Sequence, residues 1–268
     1  MLQSPAETPY DLHFPVLGFP VRVSAWFWLG ALFFGFSLAR GLDRLFEDGS
    51  PGVLPLLLMW MACLLVSIVV HELGHALAFR RFGIESSIVL YHFGGLAIPE
   101  RSSDFRGRSA SSLSPIEDMI VGLSGPLLQM ASGLLLWAII KVSGYGLSFT
   151  GYYPMSIWPF DLIPGFTSGN SIDRPILYAV TVFYLFPSFL WALLNLIPVL
   201  PLDGGRICSA LVRLNNGPMS LSFKISLATA CLVAFYAYSN GDTYLAMMFA
   251  LFGYNNYQML DQYGGRRF

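Results

Sequence analysis

The sequence predicts an all-α polytopic membrane protein with about six transmembrane helices and a small membrane-associated β-hairpin or sheet after helix 2. Three observations carry this expectation. Apolar residues make up 55% of the 268-residue chain and charged residues only 12%, whereas soluble domains carry about 25% charged residues. Mean hydropathy is +0.60. The apolar residues are gathered into uncharged runs of near-spanning length, several closed by arginine or lysine. The 22 Phe, 13 Tyr and 6 Trp suit buried and interfacial positions. Formal net charge is -1 and no long basic run occurs, so the chain has no electrostatic footprint for nucleic acid.

Residues 1–23 are mixed and proline-rich and read as an N-terminal arm, with room for a short strand at 14–23. Glu7 and Asp11 precede any basic residue, and no small-residue cleavage pattern follows the first apolar run. A retained hydrophobic segment is therefore expected to direct insertion. Residues 24–39, ended by Arg40, form the first span, with Val21 and Val23 as a candidate extension. Residues 53–79, closed by Arg80 and Arg81, form the second, which carries His71, Glu72 and His75 near its end. Residues 86–100 read as a strand, a turn at Gly94-Gly95 and a second extended piece.

Ser114-Pro115-Ile116-Glu117 has the form of a helix start: a serine cap, proline at the first position and glutamate three residues after the cap. The third span follows to Lys141, and its Gly122, Gly125, Ala131, Ser132 and Gly133 permit close helix approach. Residues 142–174 are a Gly-, Pro- and Ser-rich connection. Residues 176–197 span again, with Pro187 as a candidate kink. Residues 207–214 suit a short helix, and the apolar runs 223–238 and 243–253 suit a pair of short helices that completes six spans. The transmembrane domain is thus placed at 24–253, with its core at 53–213 and a tail at 254–268. The three cysteines, Cys63, Cys208 and Cys231, lack metal-ligand spacing and read as small buried residues.

Arginine and lysine placement orients this chain. With the N-terminus inside, the inside segments hold Arg22, then Arg80, Arg81, Arg101, Arg106 and Arg108, then Arg206, Arg213 and Lys224. The outside segments hold only Arg40, Arg44, Lys141 and Arg174. The end of the second span and the stretch 195–206 then face the same side.

Ionisable groups at membrane depth are costly, so those in the second span are functional candidates. His71 and His75 lie one helical turn apart on one face, as two ligands of a tetrahedral zinc require. Glu72 follows the first histidine and suits a general base acting on water at the metal. A chance match, or a pair of helix-capping histidines, is the weaker reading in a chain with four histidines. A third ligand is needed. His13 lies far upstream and His92 precedes the Gly-Gly pair, while Glu117 and Asp118 are accounted for by the helix dipole. Asp203 remains, ahead of Gly204-Gly205, which would let the backbone approach the metal. By residue chemistry alone, ligand and ordinary Asp-Gly turn are about equally good accounts of Asp203.

His71-Glu72-Leu73-Gly74-His75, Asn195-Leu196-Ile197-Pro198 and Leu202-Asp203-Gly204-Gly205 together resemble the site-2 protease family of intramembrane metalloproteases. Gly122-Leu123-Ser124-Gly125-Pro126 is a weaker match to the same family. The resemblance covers roughly residues 53–213. It implies one zinc per chain on His71, His75 and Asp203, with Glu72 as catalytic base. Asn195 would orient substrate or polarise its carbonyl. It implies membrane-protein substrates, often trimmed first by another protease. The membrane is expected to be a bacterial plasma membrane, with an organelle membrane of bacterial ancestry as the alternative.

The family resemblance also places a sheet at the membrane face over residues 86–98. A transmembrane segment must unwind before its peptide bond can be attacked, and an exposed strand edge can receive it. Val89, Tyr91, Gly94 and Gly95 are candidates for that edge, and Pro198 for a substrate contact. Neither the PDZ domain nor the paired CBS domain of many relatives fits the short 142–174 or 254–268 segments. Two other classes compete: a catalytically silent scaffold, and an ion or solute transporter using the same polar groups.

Overall fold

The computed structural model describes residues 7–91, 94–99, 109–149 and 162–264. In chain order its helices are α1 (Ala25–Phe46), α2 (Val53–Arg81), α3 (Pro115–Val142), α4 (Pro175–Asn195), α5 (Asp203–Leu214), α6 (Met219–Ser239) and α7 (Thr243–Gly264). Its strands are β1 (Leu12–Val16), β2 (Phe19–Val23), β3 (Ser86–Tyr91), β4 (Gly94–Pro99), β5 (Tyr145–Phe149) and β6 (Asn170–Ile172).

Among the described residues five helices, α1, α2, α3, α4 and α6, are long and apolar enough to cross a membrane. Their outward faces carry Leu29, Phe33, Leu54, Leu127, Leu135, Leu232 and Phe235, all exposed. A contiguous apolar surface of this kind is stable against hydrocarbon and not against water. The chain is an integral, multi-pass membrane protein. α2 runs through the middle and touches α1, α3 and α4. At about 1.5 Å per residue its 29 residues exceed a hydrocarbon core of about 30 Å.

The start of α3 follows its sequence signature. Ser114 Oγ accepts from the Glu117 amide (3.3 Å), and Glu117 Oε2 accepts from the Ser114 amide (2.8 Å). Proline stands at the first helical position, where no amide hydrogen is needed.

A four-stranded mixed sheet in the order β1-β2-β3-β4 packs on the bundle. β1 and β2 form an antiparallel hairpin, β2 pairs parallel with β3, and β3 pairs antiparallel with β4. Its inner face buries Phe19, Val21, Val23, Ile88 and Leu90 with residues of α1 and α2. β4 is a free edge.

Several expectations change. Val21 and Val23 lie in β2 and do not extend the first span. They alternate with Pro20 and Arg22, and the strand is seated by its parallel pairing with β3. Residues 12–23 thus belong to the sheet. Gly94 and Gly95 open β4, opposite Tyr91 and Leu90, rather than forming the turn. α7 runs past residue 253 to Gly264 and packs on α6. It carries Asn255, Asn256, Gln258 and Asp261 and falls short of the apolar composition of the five spans. The cysteines are not buried: Cys63 and Cys208 are half-exposed, and Cys231 is exposed on α6.

Candidate metal centre

His71 and His75 stand on successive turns of α2, and Asp203 opens α5. The structure brings their ligand atoms together. His71 Nε2 lies 3.2 Å from His75 Nε2. Asp203 Oδ2 lies 3.0 Å from His71 Nε2, and Oδ1 lies 3.2 Å from His75 Nε2. A tetrahedral ion with bonds of about 2.0–2.1 Å spaces its ligand atoms by roughly 3.4 Å. Among the described residues this is the one group of three or more His, Cys, Asp or Glu side chains placed to hold a metal.

Proton placement makes the same point. His75 Nδ1 lies 2.7 Å from the Val121 carbonyl, which can only accept. His75 therefore carries its proton on Nδ1. Gln129 Nε2 donates to Ser67 Oγ (2.9 Å) and to the Pro187 carbonyl (3.4 Å). That leaves Gln129 Oε1 to accept from His71 Nδ1 at 2.8 Å. In their neutral forms, both Nε2 atoms and the Asp203 carboxylate face one another as lone pairs with no proton between them. A bound cation is the chemistry that suits such a set.

Glycine permits this approach. A Cβ on Gly125 of α3 would lie 2.3 Å from His75 Nε2, and one on Gly74 would lie 2.3 Å from the Ser124 carbonyl. α2 and α3 thus touch backbone to backbone beside the histidines. Gly204 and Gly205 serve another purpose than the one expected. Their hydrogens sit against the Leu196 carbonyl and the Leu200 amide, at 2.1 and 2.3 Å from where a Cβ would stand. They seat the first turn of α5 on the preceding loop.

That loop is gripped from the C-terminal hairpin. Leu200 N donates to Ser226 Oγ of α6 (3.2 Å), and Asn256 Nδ2 of α7 donates to the Leu200 carbonyl (2.6 Å). Arg206 Nε and Arg213 Nη2 of α5 both donate to Asp118 of α3, the former at 2.6 Å.

Glu72 is 4% exposed and lies beside β4. The Ala97 amide of β4 donates to its carboxylate. A Cβ on Gly95 would stand 2.4 Å from Glu72 Cγ, so glycine is what lets β4 lie against this side chain. β4 therefore lies against Glu72. Val89 pairs with Arg22 of β2 and Leu96 of β4, so it offers no free edge, and it is buried; Tyr91 lies past the β2 register and pairs with Gly94. The strand edge foreseen for them belongs to β4, with Gly94 and Gly95 at its start. Burial, and then the Glu72 carboxylate, push the Tyr91 phenol up to about 12, so it stays protonated in any ordinary medium.

Asn195 closes α4, and its amide donates back to the Trp191 carbonyl at 3.0 Å. Pro198 lies in the half-buried loop after it. His13 sits in β1, away from the cluster, and His92 lies outside the described residues. A cavity of about 700 Å³ opens between α1, α2, α4 and α7. It is apolar and reaches Ile68, Tyr91, Gly94 and Trp191, without touching the three clustered residues themselves.

Gln129 and Asn256 escaped the sequence reading. Gln129 had a signal, as a lone amide within an apolar span. Asn256 had none, since its partner lies 56 residues upstream.

Comparison with known proteins agrees with this geometry. The model of Peptidase family M50 matches residues 59–237. A zinc metalloprotease of Methanocaldococcus jannaschii is 26% identical over 155 residues, 58% of this chain and 34% of that protein. A candidate zinc metalloprotease of Synechocystis sp. is 31% identical over 178 residues, 62% of this chain and 44% of that protein. The chain thus spans less than half the length of these relatives. The solved structure of a site-2 protease from M. jannaschii superposes with a TM-score of 0.50 at 20% identity, covering 94% of this chain and 95% of the other. At that identity the likeness is one of fold.

Proposed function

The chain belongs to peptidase family M50, and from that premise we propose that it is an intramembrane zinc endopeptidase acting on membrane proteins. One zinc per chain would be held by His71, His75 and Asp203. The observation that carries the reading is the convergence of His71, His75 and Asp203 ligand atoms within a membrane bundle, next to a buried carboxylate that is not one of them.

Bound zinc supplies Lewis-acid chemistry, lowering the pKa of water and polarising a carbonyl. The chain's own groups do the rest. Substrate, unwound to an extended strand, pairs with the outer edge of β4, and its scissile carbonyl is thereby freed from helical hydrogen bonds. Gly95 lets β4 lie against Glu72, which brings the strand that receives the substrate beside that carboxylate. Glu72 takes a proton from the attacking water and delivers it to the departing amine nitrogen. The C–N bond breaks, one carboxyl and one amine form, and Glu72 ends ionised as it began. Asn195 serves as the polar group near the end of α4 that orients the substrate, with Pro198 in the adjoining loop.

Glu72→Gln tests this reading against a scaffold and a transporter. General-base catalysis contributes about 10²–10⁴-fold, so cleavage of a single-span substrate in liposomes should fall by that order while zinc content holds at the parent's level. Parent-level cleavage with zinc retained would rule out Glu72 as the base. A scaffold would keep its full cellular role after the change. A transporter would show altered ion flux and no accumulated precursor.

A further inference from the structure

We propose that Gln129 is the positioning residue of the metal centre, orienting His71 and tying its ring to α4; this rests on the zinc-binding reading above. Gln129 is fully buried on α3. Its two amide ends are not interchangeable here. The Pro187 carbonyl has no hydrogen to give, so the NH₂ end must face it, as it faces Ser67 Oγ. The carbonyl end is left for His71 Nδ1 at 2.8 Å.

This arrangement has two consequences. The His71 tautomer is set by α4 through the glutamine: Pro187 orients the amide, the amide oxygen holds the proton on Nδ1, and Nε2 is left with the lone pair that a metal takes. The ring is also held in rotation, because Ser67 and Ser188, both fully buried, share a hydrogen bond of 3.0 Å that locks the far side of the amide. His75 has no such side chain behind it and relies on a backbone carbonyl, Val121 O. The two ligands differ in kind: one is set by the backbone, the other by a replaceable side chain.

The test uses the full chain purified in detergent, with zinc as the probe and a graded chelator as competitor. Outer partners of metal-bound histidines typically contribute 10–100-fold to metal affinity. Gln129→Met keeps volume and removes the acceptor, and should weaken zinc by that range. Gln129→Glu keeps an oxygen facing His71 and should hold zinc at least as tightly as the parent. It nevertheless loses the NH₂ end, so its metal-free thermal stability should be the lowest of the three. The two orders cross: affinity runs Glu, Gln, Met, whereas metal-free stability runs Gln, Met, Glu.

A purely structural glutamine would give one order for both readouts, with Glu last in each, and that result overturns the proposal. So does parent-level zinc affinity in Gln129→Met, which decides the matter even if Gln129→Glu fails to fold. Failure of the underlying reading looks different. It would show as zinc uptake by His71→Ala equal to the parent's, or as no uptake by the parent at all.

Discussion

The two halves of the metal centre are supported in contrasting ways. His71 and His75 share one helix, are 3% and 5% exposed, and have each Nδ1 occupied by a group of α3. Asp203 opens a short helix, and its side chain is 16% exposed. Its place is set by a loop whose Leu200 is held on both sides from α6 and α7. The histidines are held by groups that touch their rings directly, whereas Asp203 is held through the loop and helix that carry it. α7 lies beyond the 59–237 match to the family, so part of what supports the site lies outside the segment by which the family is recognised.

The contrast is most sharply tested at the ligands. Asp203→Ala removes one of the three residues placed to hold a metal, and on the proposed reading zinc should fall well below one per chain after mild chelation. Near-stoichiometric zinc that resists chelation as the parent's does would remove Asp203 from the set and leave a two-histidine site. Gly125→Ala attacks the other half without touching a ligand. Its methyl would stand 2.3 Å from His75 Nε2, and overpacking of this kind costs about 1–3 kcal/mol. His75 must move, so zinc affinity should drop by roughly tenfold or more, read by chelator competition. Unchanged affinity would mean that α2 and α3 can part without loss to the site.

Asn256→Leu probes the remote support. It leaves the half-buried Leu200 carbonyl without its donor, and losing such a hydrogen bond costs about 0.5–1.5 kcal/mol. Thermal stability should fall, and zinc affinity should fall several-fold with it, although Asn256 touches no ligand. Stability loss with zinc affinity intact would confine the C-terminal hairpin to a packing role.

The same contrast explains what the sequence could tell. His71, Glu72 and His75 sit within one helical turn, so their spacing alone carries geometry. The five spans and the capped start of α3 were equally legible, since each depends on residues close in sequence. Asp203 reads equally as a turn or a ligand in the sequence, and the fold places it 3.0 Å from His71, across 132 residues. The sheet was half legible. The pair β3 and β4 is a local hairpin, but the parallel pairing of β2 with β3 joins residues 67 apart and reverses the fate of Val21 and Val23. Gly94-Gly95 was misread because glycine signals both turns and close approaches. Here Gly95 lies in a strand, where its missing Cβ makes room for Glu72.

The smallest expected effect belongs to Asp118, and it decides which tether of α5 matters. Asp118 accepts from Arg206 and Arg213 and so joins the start of α3 to α5. By appearance this is the strongest link to the helix that carries Asp203. The arginine side chains, however, are 30% and 39% exposed, and ion pairs open to solvent contribute about 0.2–1 kcal/mol. Arg206 also keeps its guanidinium over the Phe79 ring, 5.2 Å from the centroid, whatever happens to Asp118. Asp118→Asn should therefore lower thermal stability only slightly, by an amount that shrinks as salt is raised. Zinc affinity should stay at the parent's value, because the Leu200 contacts and the packing of Gly204 and Gly205 on the loop are untouched. The comparison is made between Asp118→Asn and Asn256→Leu under one chelator series. If Asp118→Asn lost zinc as readily as Asn256→Leu, α5 would be held by charge from α3, and both halves of the centre would depend on that one helix.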